Sequence, residues 1–304
     1  MVTPTPHAHD ADGPPVSPLA TRVQDDIVLR GSLYHGGAGA DERRPVVCLA
    51  GLSRNGRDFT MLARAIARSA TPRNVYTFDM RGRGASDWAP KWTTYTIMQE
   101  LSDTLDLMTA HGLFDCALIG TSRGGLLGMG LMALQPTRIG AIVLNDIGPV
   151  IDREGLMRIA GYVGKMPTPT DWDDAVRLIK AANARDFPKL DDAEWHAVAR
   201  QWFNADDAGG PKPGYDPDIA RTFEIPDGGF PELWPQFEAV TPVPCLTIRG
   251  QNSDLLSVET VERMAARHPD FESRTVPDQG HAPLLRDDAT IAAIIKFLDR
   301  TEGA

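Results

Sequence analysis

The sequence predicts an α/β protein: a mostly parallel sheet with flanking helices, interrupted by a helical insertion. Three observations lead there. From residue 45 onward, apolar runs of strand length alternate with amphipathic segments of helix length. The runs are nearly continuous in apolar residues, as strands covered on both faces must be. Between about 150 and 238 the spacing becomes purely helical, and the strand–helix rhythm then resumes.

Taken in order, Val46-Val47-Cys48-Leu49-Ala50 and Val75-Tyr76-Thr77-Phe78 read as buried strands. Ala117-Leu118-Ile119, Ala141-Ile142-Val143-Leu144 and Cys245-Leu246-Thr247-Ile248 continue the set. Helical patterns cover about 57–69, 94–111, 123–135, 257–267 and 288–300. Strand–helix alternation implies parallel strands joined by right-handed crossovers. Residues 21–35 alternate in hairpin style and give the sheet an antiparallel start. In the insertion, Leu156, Ile159, Tyr162 and Val163 recur at helical spacing, as do Trp172, Val176, Ile179 and then Trp195, Val198, Trp202, Phe203. Four of the six tryptophans lie there: Trp172, Trp195, Trp202 and Trp234. Each fits the insertion's own core, and as a group they are the candidate lining of an apolar substrate pocket.

Bulk properties narrow the function. Thirty-one basic against forty-one acidic side chains give a net charge of −10, which disfavours nucleic acid and anionic membranes as partners. No apolar run approaches the ~18 residues of a membrane helix. Residues 1–20 lack a basic start followed by an apolar run, so they read as a disordered leader, and the expected location is cytoplasmic. Cys48, Cys116 and Cys245 sit in apolar runs and read as buried thiols. No metal site or organic cofactor is indicated; His7-Ala8-His9 falls in the leader. The expected partner is a small-molecule substrate, and a homodimer is compatible with the sequence.

The chemistry gathers around Gly120-Thr121-Ser122-Arg123-Gly124. This G-x-S-x-G follows a strand and opens a helix, the context in which the serine occupies a sharp, strained turn. Small residues two before and two after are needed where backbones pass closely. The helix start offers backbone N–H groups to a developing oxyanion. A serine hydroxyl needs a base. Of seven histidines, His281 lies in a loop between the last apolar run and the last helix, where the carboxyl edge of the sheet is expected. Two carboxylates end strands and could orient it: Asp254 and Asp146. Asp254 is favoured because its strand directly precedes the one leading to His281; Asp146 then shapes the site. The turn Ala50-Gly51-Leu52-Ser53 can present the Leu52 N–H to a substrate oxygen, with the Arg123 N–H as second donor. Asp79-Met80-Arg81-Gly82-Arg83-Gly84 lacks the spacing of a phosphate loop and reads as a structural turn with buried charge contacts.

With these motifs in order, the chain resembles the α/β-hydrolase fold superfamily from about 21 to 300. The matching segments are Leu49 to Gly56, Asp79-x-Arg81-Gly82-x-Gly84-x-Ser86, Gly120-x-Ser122-x-Gly124, Arg249-Gly250-x-x-Ser253-Asp254 and Gly280-His281. The resemblance implies an eight-stranded sheet, a core of 21–147 and 239–304, a helical cap of 148–238, and a triad of Ser122, Asp254 and His281. Many members carry His-Gly in the oxyanion turn, and here it is Ala50-Gly51, so the turn's side-chain support must differ. Serine at 122 sets aside relatives that use aspartate there. The expected reaction is hydrolysis of a carboxylic ester or lactone of medium size. A C–C bond hydrolase acting on a ring-fission diketone and a non-catalytic small-molecule-binding protein are the alternatives.

Overall fold

The computed structural model describes residues 13–222 and 230–302. An antiparallel pair opens the chain, β1 (Val16–Arg22) and β2 (Val28–Tyr34). Then come β3 (Val46–Leu49), α1 (Thr60–Arg68), β4 (Val75–Asp79), α2 (Ile97–Ala110), β5 (Cys116–Thr121), α3 (Arg123–Leu134) and β6 (Ile139–Asn145). The insertion holds α4 (Arg153–Tyr162), α5 (Trp172–Asn183), α6 (Asp192–Trp202), a short hairpin of β7 (Phe203–Ala205) and β8 (Pro211–Pro213), and α7 (Trp234–Glu238). The core resumes with β9 (Cys245–Gly250), α8 (Val258–Ala265), β10 (Phe271–Val276) and α9 (Asp288–Arg300).

Eight strands form one sheet in the order β1-β2-β4-β3-β5-β6-β9-β10. All neighbours from β4 to β10 are parallel, and β2 joins β4 antiparallel. Alternation within the strands divides the core in two. Leu118, Ile142 and Leu144 point to a layer completed by Leu101, Met108, Leu127 and Leu131 from α2 and α3. Ala117, Ile119, Ala141 and Val143 point to the other, against Leu62 and Ile66 of α1 and Ile294 and Phe297 of α9. Burial on both faces explains why β3, β5, β6 and β9 read as unbroken apolar runs. β10 is the exception. It lies at the sheet edge, its burial alternates with exposed Glu272, Ser273 and Thr275, and it has no apolar signature to find in the sequence.

The helices start where side chains cap them. Thr96, Asp171, Ser257 and Asp287 each accept a hydrogen bond from an N–H of the first turn, and Asp191 forms a reciprocal capping box with Glu194. The insertion has its own core of Ala175, Ile179, Phe187, Trp195, Val198, Ala199 and Phe203, joined by Leu284 from the loop before α9.

One boundary needs correction. The expected leader of residues 1–20 overlaps β1, because Val16–Ala20 pair with Arg30–Tyr34 of β2. The alternation in that strand is shallow, with half-buried and exposed residues in turn, which hides it from an apolar-run reading. Residues 1–12 of that leader lie outside the described residues. No helix among the described residues is long and apolar enough to cross a membrane.

Candidate active site

Ser122 stands between the last residue of β5 and the first of α3, with φ 50° and ψ −114°. That left-handed backbone is costly for a non-glycine residue and persists because its surroundings dictate it. Its N–H donates to Asn145 O at 2.9 Å, while its carbonyl accepts from the Gly125 and Leu126 N–H groups. The flanking glycines are required by close approach. A Cβ on Gly124 would lie 2.0 Å from Leu49 O, and one on Gly120 would lie 2.5 Å from the Gly124 backbone.

The structure brings His281 to this serine. Its Nε2 is 2.9 Å from Ser122 Oγ, and its Nδ1 is 2.8 Å from Asp146 Oδ2. An ionised carboxylate only accepts, so Nδ1 carries the proton and Nε2 is left as the acceptor for the serine hydroxyl. The Asp146 side chain is fully buried and satisfied. Its Oδ1 accepts from the Gly250 N–H at 2.7 Å and its Oδ2 from Ser253 Oγ at 2.6 Å. Asn145 anchors the histidine loop by donating from Nδ2 to Pro283 O at 2.9 Å.

Asp254 is not at the imidazole. Its carboxylate takes a two-pronged hydrogen bond from Arg158 of α4, at 2.6 and 2.8 Å. Burial pushes the Asp254 carboxyl up, but Arg158 outweighs it and holds the group below the usual carboxylate range. The correction follows from sheet order. β6, not β9, is the neighbour of the nucleophile strand, and Asp146 is the first residue beyond its end. Asp254 stands four residues past β9, on a loop that Arg249 Nε ties back through Leu256 O, so it turns toward the insertion.

The oxyanion turn is braced by buried charge. Arg83 Nε donates to Leu52 O at 2.8 Å, and Arg83 Nη1 donates to Glu100 Oε1 at 2.7 Å. The second oxygen of Glu100 accepts from Arg123 Nε at 2.6 Å. One carboxylate therefore links the residues carrying both expected oxyanion donors. Burial pushes the Glu100 carboxyl up, and the two guanidiniums more than offset it. Two guanidiniums on one carboxylate leave a net positive charge beside the place where an oxyanion would develop. The Arg123 N–H is at the first position of α3, among the amides a helix leaves without an internal partner. The loop after β4 is structural, as expected: Asp79 accepts from the Gly56 and Ala85 N–H groups, and Arg81 pairs with Asp103 and Asp25.

The sequence profile described as "Alpha/beta hydrolase family" matches residues 46–293. The chain belongs to the alpha/beta hydrolase family. It is 34% identical over 275 residues to a 3-hydroxybutyrate-oligomer hydrolase of Cupriavidus necator, a match that covers 87% of this chain and 91% of that protein. It is 26% identical to a 2-hydroxy-6-oxo-6-(2'-aminophenyl)hexa-2,4-dienoic acid hydrolase of Metapseudomonas resinovorans, covering 88% and 83%. The crystal structure of an alpha/beta hydrolase from Novosphingobium aromaticivorans superposes with a TM-score of 0.86 at 40% identity, covering 94% of this chain and 98% of that one. The protein is thus an alpha/beta-family hydrolase.

Two cavities meet at Ser122 of this hydrolase. The larger, of about 100 Å³, is lined by Arg54, Tyr162, Asn183, Trp202, Phe203 and His281, among others. The smaller, of about 60 Å³, is lined by Arg123 and by apolar side chains including Leu126, Ile147, Ile151, Leu156 and Leu255. Of the four candidate tryptophans, Trp202 alone lines either cavity. Trp195 is buried in the insertion's core, edge-on to Phe187. Trp172 donates to Gly209 O and lies under the Arg200 guanidinium. Trp234 donates to Glu232 and packs edge-on against Phe237, with Arg263 and Arg267 over its ring. The lining that sequence reasoning missed comes from short stretches with no distinctive signal, although Ile159 and Tyr162 do belong to the helical spacing noted for α4.

Two outcomes follow. Asp146→Asn should lower kcat by about 10³- to 10⁴-fold by fixing the wrong imidazole tautomer, while Asp254→Asn lowers it far less; steady-state kinetics on one ester decides the ranking. Glu100→Gln leaves two guanidiniums without their shared partner and should cost about 3–5 kcal/mol of stability, read by urea unfolding, with kcat falling more than KM rises.

Proposed function

We propose that this hydrolase cleaves carboxylic esters through an acyl-enzyme on Ser122, with His281 as the base and Asp146 as the carboxylate that orients it. The observation carrying this reading is the unbroken hydrogen-bonded chain from Ser122 Oγ through His281 to Asp146. In the first half-reaction Ser122 Oγ attacks the carbonyl carbon as its proton passes to His281 Nε2. The Leu52 and Arg123 N–H groups receive the oxyanion. The carbon–oxygen bond then breaks, and Nε2 returns its proton to the departing alkoxide. Water repeats the sequence on the acyl-enzyme, releasing the acid and restoring Ser122.

That proton path fixes orientation. The leaving oxygen must lie on the imidazole side, and His281 lines the larger cavity. The alcohol portion therefore occupies the larger cavity. The acyl chain occupies the smaller apolar one, beside Arg123. A short acyl group and a bulkier, more polar alcohol fit this division, and a lactone of similar size presents the same groups. The relative named for 3-hydroxybutyrate oligomers supports the reading, since such esters join short hydroxyacyl units.

A fluorophosphonate should label the protein at Ser122, located by peptide mapping, and Ser122→Ala should lose both labelling and ester turnover; a variant that keeps wild-type turnover would refute the assignment. On nitrophenyl esters, butanoate should be turned over faster than decanoate, and Ile151→Ala should move the optimum to longer chains. A flat chain-length profile in both proteins would contradict the placement of the acyl group.

A further inference from the structure

The larger cavity carries a cation that the proposed chemistry does not use. Arg54 follows the oxyanion turn, its own N–H donating to Gly51 O at 3.1 Å. Its guanidinium carbon sits over the Trp202 ring, 3.6 Å from the centroid. One nitrogen, Nη2, meets Asp58 Oδ2 at 2.8 Å. Nε is buried with no acceptor, and so is Trp202 Nε1. Both atoms are buried in the cavity wall, so what a ligand oxygen can reach is the exposed part of the guanidinium beyond Nε. About a fifth of the Arg54 side chain remains exposed, and it lines the cavity together with Ser122 and His281.

The arrangement is built rather than incidental. Residues on both sides of Trp202 are clamped to the segment that carries Arg54. Gln201 O accepts from Asn55 Nδ2 and Arg57 Nε, and Phe203 O accepts from Arg57 Nη2. Stacking and the Asp58 contact hold the guanidinium plane still, so a ligand binding to it loses little side-chain freedom. The field of Asp58 is shared with Arg57, which also stands near it. By contrast, Arg158 of the insertion is paired with Asp254 and Asp186.

We propose that Arg54 receives a carboxylate on the alcohol portion of the substrate, so that the preferred esters are those of hydroxy acids with a free acid end. This rests on the ester-hydrolase reading and on the alcohol occupying the His281 side. Arg54 is then a specificity-determining residue: a planar fork that donates to a carboxylate's oxygens in the cavity it shares with Ser122 and His281. With a short acyl group in the smaller cavity and an acid-bearing alcohol in the larger, the substrate that fits both is a two-unit hydroxy-acid ester with a free acid end.

The test compares 3-(butanoyloxy)propanoic acid with its primary amide, which has the same ester bond and nearly the same shape but no charge. Butanoate release should give wild-type enzyme a higher kcat/KM on the acid. Arg54→Gln should lower the acid-to-amide ratio of kcat/KM by about 10- to 100-fold, the range for a hydrogen bond to a charged group, and Arg54→Lys should fall between. A measurement on unmodified protein guards against a misfolded variant: 3-hydroxypropanoate should inhibit hydrolysis of nitrophenyl butanoate more strongly than 3-hydroxypropanamide does. Preference for the amide, an unchanged ratio in Arg54→Gln, or equal inhibition by the two alcohols would overturn the assignment while leaving the ester-hydrolase reading intact. If Ser122 takes no fluorophosphonate label and neither ester is cleaved, that reading fails first and the Arg54 assignment goes with it.

Discussion

Gly124 passes so close to the Leu49 carbonyl that no side chain can stand between them. Most of the site depends on this approach. It lets α3 begin directly beneath the end of β3, and the chain between β5 and α3 must then turn within a single residue. That residue is Ser122, and its left-handed backbone is the cost of the turn. In return the hydroxyl stands clear of the sheet edge, with the first amides of α3 beneath it. The strain is sustained by hydrogen bonds on both sides: its N–H donates to Asn145 O at the end of β6, and its carbonyl accepts from the Gly125 and Leu126 N–H groups at the start of α3.

A second constraint is electrostatic. Glu100 lies in the first turn of α2, away from the nucleophile in sequence, yet its two oxygens reach Arg83 and Arg123. Arg83 in turn holds the Leu52 carbonyl. The brace on this turn comes from outside it, through a guanidinium on the loop after β4. The apparently phosphate-like Arg-Gly-Arg-Gly loop after β4 therefore braces the turn that carries Leu52.

The strand–helix rhythm, the nucleophile turn and the histidine loop were legible in the sequence because each carries a local signal. Buried strands are apolar without interruption, and the G-x-S-x-G is fixed by steric contact. The choice between Asp146 and Asp254 was not legible, because it depends on which strand lies beside β5, and chain order does not give sheet order. Asp254 looked the better acid because its strand directly precedes the one leading to His281; in the structure it meets Arg158 instead. The tryptophans were over-read for a similar reason. Composition marks the insertion as aromatic but not which rings face inward, and Trp195 and Trp172 serve its folding while Trp202 meets the cavity. Arg54 gave no signal, since an arginine in a turn is usually a solvated one.

Leu284 belongs in sequence to the histidine loop but packs in the insertion's core, beside Phe187 and Trp195. Gly280, next to the histidine, is pressed against Asp186 of the same insertion. The insertion and the catalytic base thus share one cooperative unit. Loosening the insertion's core would therefore also loosen the loop that aims the imidazole.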